Sequence, residues 1–218
     1  MSRSTPTRTL QKFPGEDSSA LQALIAEMPI AHVAFVIDHQ PYVLPIAVAI
    51  EAGPNPSEPP TILLHGSSGS RWLRSVADGR QVSVGVTALD GLVVARSAFE
   101  SSMHYRSAVL FGTCSPVPAT EQLSALDTLT DALIPGRVSE VRRPHRKEIA
   151  ATLVLKMTVE DWSFKVSDAW PEDPPEDVAT DTWAGVLPRT AKYGRAEPAP
   201  DLAEHVQLPP SVSRILNR

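Results

Sequence analysis

Short runs in which apolar and polar residues alternate make up much of this chain, and they predict β-strands. Each run is bounded by glycine, proline, asparagine or aspartate, which favour turns. Asp90-Gly91 falls between two runs and is typical of a two-residue hairpin turn. The predicted strands are His32–Asp38, Tyr42–Ile50, Thr61–His65, Val82–Thr87, Leu92–Ser97, Tyr105–Thr113, Ala150–Val159 and Trp162–Val166.

Helical spacing of apolar residues occurs in fewer places. Leu21, Leu24 and Ile25 follow Ser18 and Ser19, either of which can act as the N-cap. Other amphipathic segments are 120–134, ended by Pro135-Gly136, and a short one after the strand that begins at Thr61. Many short strands with few helices predict a mainly β fold, an antiparallel barrel or sandwich. We interpret it as an antiparallel, Greek-key-like barrel with peripheral α-helices.

Composition indicates how the chain divides into domains and argues against nucleic-acid and membrane partners. The 218 residues divide into a flexible N-terminal tail (1–17), one domain (18–190) and a proline-rich C-terminal arm (191–218). The hydrophobic fraction of 42% supports a core, and the net charge of −5 argues against a nucleic-acid partner. No apolar run reaches the length of about 20 residues that a membrane span needs. We therefore expect a cytoplasmic protein without a membrane partner.

Cysteine and histidine give little sign of metal or nucleophilic chemistry. Cys114 is the single cysteine, which excludes an internal disulfide, and its strand-like surroundings favour a buried, inert thiol. The histidines show no metal-ligand spacing with one another or with carboxylates, so no metal site is predicted. The spacings of a serine hydrolase elbow and of a Rossmann fingerprint are also missing from the sequence.

A turn rich in small and hydroxyl-bearing residues follows the predicted strand that ends at His65. It reads His65-Gly66-Ser67-Ser68-Gly69-Ser70-Arg71-Trp72. Small residues permit a tight turn, and the first N–H groups of a helix have no internal partners. With the serine hydroxyls and the Arg71 guanidinium they form a candidate phosphate site, which Arg74 can also reach. A simple turn with Ser70 as helix N-cap explains the same residues.

The second candidate segment is 103–112. Alternate side chains of a strand face opposite sides, so His104 and Arg106 share one face and Ser107 lies on the other. An arginine on the inner face needs an anionic or hydrogen-bonding partner. The alternative is a surface arginine paired with an acid such as Glu100.

Together these segments resemble the flavoproteins related to pyridoxamine 5′-phosphate oxidase. The oxidase motif aromatic-Thr-Asn-x-x-Ser-Arg-Lys is similar to 65–72 without a gap, and its Arg-Gln-Val-x-Val-x-Gly strand is similar to 106–112. The chain resembles the nitroimidazole-resistance-like branch more closely still. The segments it shares with that branch include 41–45, 65–66, 104–107, 135–137, 147–152 and 183–188.

The resemblance implies an FMN-binding split β-barrel that forms a homodimer, with the flavin in a cleft between subunits. Ser67, Ser70 and Arg71 then hold the phosphate, while Arg106 or Lys165 stabilises negative charge on the reduced ring. The candidate cofactor-binding residues are Leu44, Pro45, Ile46, His65, Gly66, Ser67, Ser70, Arg71, Trp72, Arg106, Ser107, Lys165 and Trp183. No side chain is assigned as a catalytic acid or base.

Departures from the oxidase pattern narrow the implied activity. Trp72 stands where the oxidase has a second phosphate-binding lysine, and Ser107 replaces a glutamine. The C-terminal part lacks the oxidase segment that grips the phosphorylated vitamin. We therefore expect an oxidoreductase for another small organic substrate. The alternatives are a flavin carrier or sensor, or the same fold with deazaflavin, haem or no cofactor.

Overall fold

The computed structural model describes residues 11–12, 19–53, 55 and 58–217. It confirms the mainly β class, with eight strands in one antiparallel sheet. The strands are β1 Gln11–Lys12, β2 Ile30–Ile37, β3 Gln40–Glu51, β4 Thr61–Ser67, β5 Gln81–Val94, β6 Ser102–Pro116, β7 Thr152–Ser167 and β8 Gly185–Pro188. The helices are α1 Ser19–Glu27, α2 Arg71–Val76, α3 Gln122–Leu133, α4 Arg146–Ala150, α5 Pro175–Val178 and α6 Pro210–Leu216, with a 3₁₀ turn at Arg137–Glu140.

The sheet closes on itself as a barrel. Its strands follow the order β7-β4-β3-β2-β5-β6, and β6 pairs with β7 again. Alternation explains which side chains point inward, since Ala31, Val33 and Phe35 of β2 are all buried in the core. Of the predicted tail, only β1 is described, paired with β7, and the predicted cap Ser18 lies outside the described residues.

Different elements close the two ends of the barrel. The α1 helix precedes β2 and places Leu21 and Leu24, both fully buried, in the main core. At the other end, where the β2–β3 hairpin turns, Phe35 stacks between two aromatic rings. Its centroid lies 5.4 Å from that of Tyr42 and 5.6 Å from that of Trp72.

One outer face of the barrel is covered and another is open. The α3 helix packs Leu129 against Leu63 of β4 and Val154 of β7. The open face is defined by the outward side chains Ile30, His32, Ala34, Val36, Pro41, Val43, Pro45, Ser83, Ser107, Val109 and Phe111 of β2, β3, β5 and β6. Ile30 is 56% exposed and Val43 61%, so large apolar groups on this face meet solvent.

The predicted hairpin turn at Asp90-Gly91 is wrong. The β5 strand continues from Gln81 to Val94, with a bulge between Leu89 and Gly91. Glycine is needed there because a Cβ on Gly91 would lie 2.8 Å from the carbonyl oxygen of Leu187 in β8. The last two predicted strands likewise merge into β7 through a bulge opposite Phe111–Gly112.

The proline-rich C-terminal arm contains the short helix α6. The α6 helix docks on its own chain, where the backbone N–H of Ser211 donates to Glu140 (2.8 Å). The Arg214 guanidinium donates to the carbonyl oxygen of Pro135 (2.8 Å). No helix of the described residues is long and apolar enough to cross a membrane.

Candidate functional site

The serine turn, residues 67–71, connects β4 to α2 and is fixed by its own backbone. The N–H of Ser68 donates to the carbonyl oxygen of Ala151, which precedes β7 (2.8 Å). The N–H of Ser70 donates to the carbonyl oxygen of Ser67 (2.9 Å), and that of Gly69 donates to the Ser67 hydroxyl (3.2 Å). These bonds hold the turn in one shape against the barrel.

Two donors of the serine turn are uncommitted within the described residues. Arg71 is exposed, and neither its guanidinium nor the Ser70 hydroxyl has a hydrogen-bond partner there. Ser70 occupies the N-cap position of α2 but makes no side-chain capping bond, so a structural cap does not explain it. Arg74 instead donates to the carbonyl oxygen of Gly69 (3.4 Å). Since α2 has only six residues, an anion site here depends on side-chain donors.

His65 precedes the serine turn on the outer side of β4. Its Nδ1 is buried without a hydrogen-bond partner in the described part of the chain. Burial lowers the pKa of His65, which favours the neutral imidazole. A buried ring nitrogen without a partner costs free energy, so a polar group brought to the turn gains an available contact. Gly66 allows close packing, since a Cβ there would lie 3.4 Å from Leu73 of α2.

The residues predicted along the flavin ring face different sides. Leu44 and Ile46 pack on the main core, whereas Pro45 is exposed on the open face opposite His32. Trp72 also packs on the core, through its stack with Phe35. Of the three residues predicted to contact the flavin ring, 44–46, Pro45 thus lies on the open face of the protomer.

Arg106 is committed to two carboxylates. Its Nε and one Nη donate to Asp90 at 2.9 and 2.7 Å, and another Nη lies 2.9 Å from Glu27 of α1. These bonds lower the pKa of Asp90 and raise that of Arg106. The predicted alternative partner, Glu100, is therefore not the one found. Sequence reasoning missed Asp90 because the residue had been assigned to a hairpin turn.

Ser107 and Lys165 are neighbours on the outer side of β6 and β7, where they pair in register. The Lys165 ammonium lies 5.2 Å from the centroid of the Tyr105 ring. Ser67 pairs with Thr152 at the other end of β7, roughly 40 Å away along the strand at about 3.3 Å per residue. The serine turn and the Ser107–Lys165 pair are separate places on one protomer.

Trp183 lies beside β8 and is 62% exposed. Its indole covers the backbone of Gly185, where an added Cβ would lie 3.0 Å from the ring. The structure thus places the predicted site residues in several separate regions. These are the serine turn with the adjoining His65 and Gly66, the core, the open face at Pro45, the Arg106 ion cluster, the Ser107–Lys165 pair and Trp183.

One feature of this surface was not predicted from the sequence. A groove of about 660 Å³ runs beside the β2–β3 hairpin, and His39 and Arg80 are among its lining residues. Among the described residues, no group of three or more histidine, cysteine or acidic side chains is arranged to hold a bare metal ion. The signal in the sequence was weak, since His39 lies in a turn without a motif.

Comparison with known proteins identifies relatives of the whole fold. A family model described as pyridoxamine 5′-phosphate oxidase matches residues 17–166. The FAD and heme binding protein from Mycobacterium smegmatis is 46% identical, with a TM-score of 0.85 over 92% of this chain and 95% of that one. The flavocytochrome Anf3 from Azotobacter vinelandii is 30% identical, with a TM-score of 0.81 over 91% and 90%.

A more distant structure shares the fold alone. A putative 5-nitroimidazole antibiotic resistance protein from Bacteroides thetaiotaomicron is 17% identical, with a TM-score of 0.53 over 72% of this chain and 88% of that one. A search of curated proteins returned no match.

Proposed function

The chain belongs to the pyridoxamine 5′-phosphate oxidase family, and we propose that it is a redox protein that binds a flavin nucleotide at the serine turn. The family and the barrel confirm the predicted resemblance at the level of a flavin-binding fold. FMN and FAD carry the same ribityl phosphate, so phosphate donors do not distinguish them. The neighbour from Mycobacterium smegmatis, described as binding FAD and heme, favours FAD, and FMN is the alternative.

The uncommitted donors at the serine turn carry this proposal. The Arg71 guanidinium and the Ser70 hydroxyl have no hydrogen-bond partner among the described residues, although both belong to a turn that backbone hydrogen bonds fix against the barrel. Arg71 pairs with the phosphate through charge-assisted hydrogen bonds, and Ser70 donates one more. The unpartnered Nδ1 of the neutral His65 ring gains a contact at the same place. The residues present therefore fit a phosphate-bearing cofactor.

A homodimer completes the site in this proposal. The Ser107–Lys165 pair lies far along β7 from the serine turn, so a second copy must bring another such pair to the flavin. The open face supports this arrangement, since its apolar side chains meet solvent in one protomer. The flavin supplies one- and two-electron transfer. Lys165 stabilises negative charge near the ring, whereas Arg106 is already paired with Asp90 and Glu27.

Haem is a second group that we propose for this chain. One neighbour is described as binding FAD and heme, and the other as a flavocytochrome. A flavin and a haem on one chain suit electron transfer from the flavin to a second acceptor.

The substrate is a small organic molecule other than pyridoxamine phosphate in our proposal.

The cofactor experiment is direct. Protein purified from cells with ample flavin and haem should be coloured, and denaturation should release FAD identifiable by mass spectrometry. Release of FMN alone would support the flavin site but show that its cofactor is FMN and not FAD. Protein that is colourless and binds neither added flavin would refute the proposal. Turnover of reduced nicotinamide with an electron acceptor then separates an enzyme from a carrier.

The dimer has its own test. Val109 lies on the open face and is 37% exposed, so a second copy would bury it. We expect wild-type protein at twice the chain mass of 23.5 kDa and Val109→Lys at that chain mass, measured by light scattering. Leu202→Lys is the matched control, because Leu202 is 45% exposed on the C-terminal arm. A flavin-loaded monomer of the wild-type protein would contradict a shared site.

A further inference from the structure

The segment 142–147, between the 3₁₀ turn and β7, contains four arginine or lysine residues. Two of them are already paired with acids. Arg142 donates to the two carboxylate oxygens of Glu148 at 2.8 and 2.6 Å. Arg143 donates to Asp127 of α3 at 2.7 Å. The charges of these two arginines are therefore balanced within the protomer.

Arg146 and Lys147, in the first turn of α4, are not balanced in this way. Both are exposed, and neither has a hydrogen-bond or ion-pair partner among the described residues. Glu148, the acid of α4, is occupied by Arg142 and by the backbone N–H of His145, which donates to it at 2.7 Å. Two uncompensated positive charges thus lie on α4, and such charges attract an anionic ligand.

The α4 helix ends directly beside the serine turn. The carbonyl oxygen of Ala151 accepts a hydrogen bond from the backbone N–H of Ser68 (2.8 Å). The N–H of Ala151 donates to the carbonyl oxygen of Lys147 (3.0 Å), so Lys147 lies one helical turn, about 5.4 Å, before that contact. The flexible four-carbon stem of lysine is long enough for its ammonium to reach across one turn.

Hydrogen bonds also fix α4 relative to the serine turn. The amide of Gln122 in α3 donates to the carbonyl oxygens of Ile149 (3.2 Å) and Thr152 (2.8 Å). The Thr152 hydroxyl donates to the carbonyl oxygen of Glu148 (2.8 Å). Thr152 in turn pairs in register with Ser67 of the serine turn. The two free cations therefore stand beside the turn without a movement of the backbone.

We propose that Lys147, assisted by Arg146, holds a second phosphate next to the one at the serine turn, so that this site selects a flavin dinucleotide. The inference rests on the proposed binding of a flavin at that turn. FMN ends in a single phosphate, which Arg71 meets, whereas in FAD a second phosphate follows through one bridging oxygen. A site for that second phosphate must adjoin the turn, as α4 does. A lysine binds phosphate as a point charge and needs no special geometry.

Arg74 is the competing cation. It follows Arg71 by three residues in α2, so the two side chains share a face of the helix. One Nη of Arg74, however, donates to the carbonyl oxygen of Gly69 within the serine turn (3.4 Å). The Lys147 ammonium makes no such bond among the described residues, so its three donors are available to a phosphate. The geometry therefore favours Lys147.

The test compares the Kd values of FAD and FMN, measured by flavin fluorescence quenching in titrations of apo-protein. Lys147→Gln should raise the FAD Kd about fivefold, because the lost charge pair is exposed, and should leave the FMN Kd within about twofold. Adding Arg146→Gln should raise the FAD Kd further, to about tenfold or more. Both effects should shrink as salt is added. Arg71→Ala should instead raise both Kd values by the same factor.

The controls separate the possible failures. Lys192→Gln is the matched control, because Lys192 is exposed on the C-terminal arm, and both of its Kd values should equal those of the wild type. An equal rise of both Kd values in Lys147→Gln, or an unchanged FAD Kd, overturns the second-phosphate site. A selective loss of FAD affinity in Arg74→Gln instead overturns the assignment of Lys147.

The wild-type protein distinguishes this inference from the proposed function. Wild-type protein that binds FMN but not FAD overturns the second-phosphate site, while the flavin site at the serine turn stands. Wild-type protein that binds neither flavin refutes the proposed function, and this inference with it.

Discussion

The Arg71→Glu variant tests the phosphate site most directly. Arg71 is exposed and has no hydrogen-bond partner in the described residues, so the fold does not depend on its charge. Exposed substitutions of this kind change stability by about 0.5 kcal/mol or less. Flavin binding, in contrast, loses a charge-assisted contact and gains a repulsive carboxylate. The variant should therefore fold normally and fail to retain flavin.

The expected change in flavin affinity follows from the hydrogen bonds that each substitution removes. A hydrogen bond to a charged group contributes about 1.5–3 kcal/mol, so Arg71→Ala should raise the flavin Kd roughly 10- to 150-fold. Arg71→Glu should exceed this through repulsion. Ser70→Ala removes one hydroxyl donor and should cost less, about 0.5–1.5 kcal/mol. The order of the three effects is itself a prediction.

Flavin fluorescence quenching in a titration of apo-protein measures these constants. Arg195→Ala is the matched control, because Arg195 is exposed on the C-terminal arm, and its flavin Kd should equal that of the wild type. A flavin Kd for Arg71→Glu within twofold of the wild-type value would show that the phosphate lies elsewhere. Thermal melts of each apo-protein establish that the fold is intact.

Three further predictions concern the barrel. Arg106→Met should lower the free energy of unfolding by about 1–2 kcal/mol, because the ion pair is only partly buried. The pKa of Asp90 is lowered from 3.8, so its share of the stability is present above about pH 4 and lost as the pH falls through the folded pKa. In urea melts between pH 3 and 6, the free energy of unfolding should therefore fall less steeply with decreasing pH in Arg106→Met than in the wild type. Burial raises the pKa of Cys114 to about 12, so Ellman's reagent should label it only after unfolding. Gly91→Ala places a Cβ 2.8 Å from the carbonyl oxygen of Leu187 and should cost about 1–3 kcal/mol in urea melts.

Each of these predictions has a contrary result. If the free energy of unfolding fell equally with decreasing pH in the wild type and in Arg106→Met, the ion pairs of Arg106 with Asp90 and Glu27 would not stabilise the fold. Rapid labelling of the native protein would mean that Cys114 is accessible. Gly194→Ala is the control for Gly91→Ala, because a Cβ on Gly194 meets no atom within 4 Å. Equal stability of the two alanine variants would contradict a close approach of β8.

Local pattern was enough to predict the strands that line the core. Alternation in β2 and β5 places the inward residues correctly, because a side-chain period of two depends only on neighbouring residues. The same local logic found the serine turn, whose small and hydroxyl residues stand between a strand and a helix. The family resemblance then supplied the flavin-binding fold.

The tertiary structure decided the features that depend on distant partners. Asp90-Gly91 has the composition of a turn, yet the approach of β8 makes it a bulge within a long strand. The sequence left open whether Arg106 lies on the inner face or at the surface, and its carboxylate partners come from another strand and from α1. No local pattern shows which outer face α3 covers, which face is left open, or that His39 borders a groove. A sequence thus determines which side of a strand is apolar. Sheet register and helix docking determine which residues, helices or solvent each side contacts.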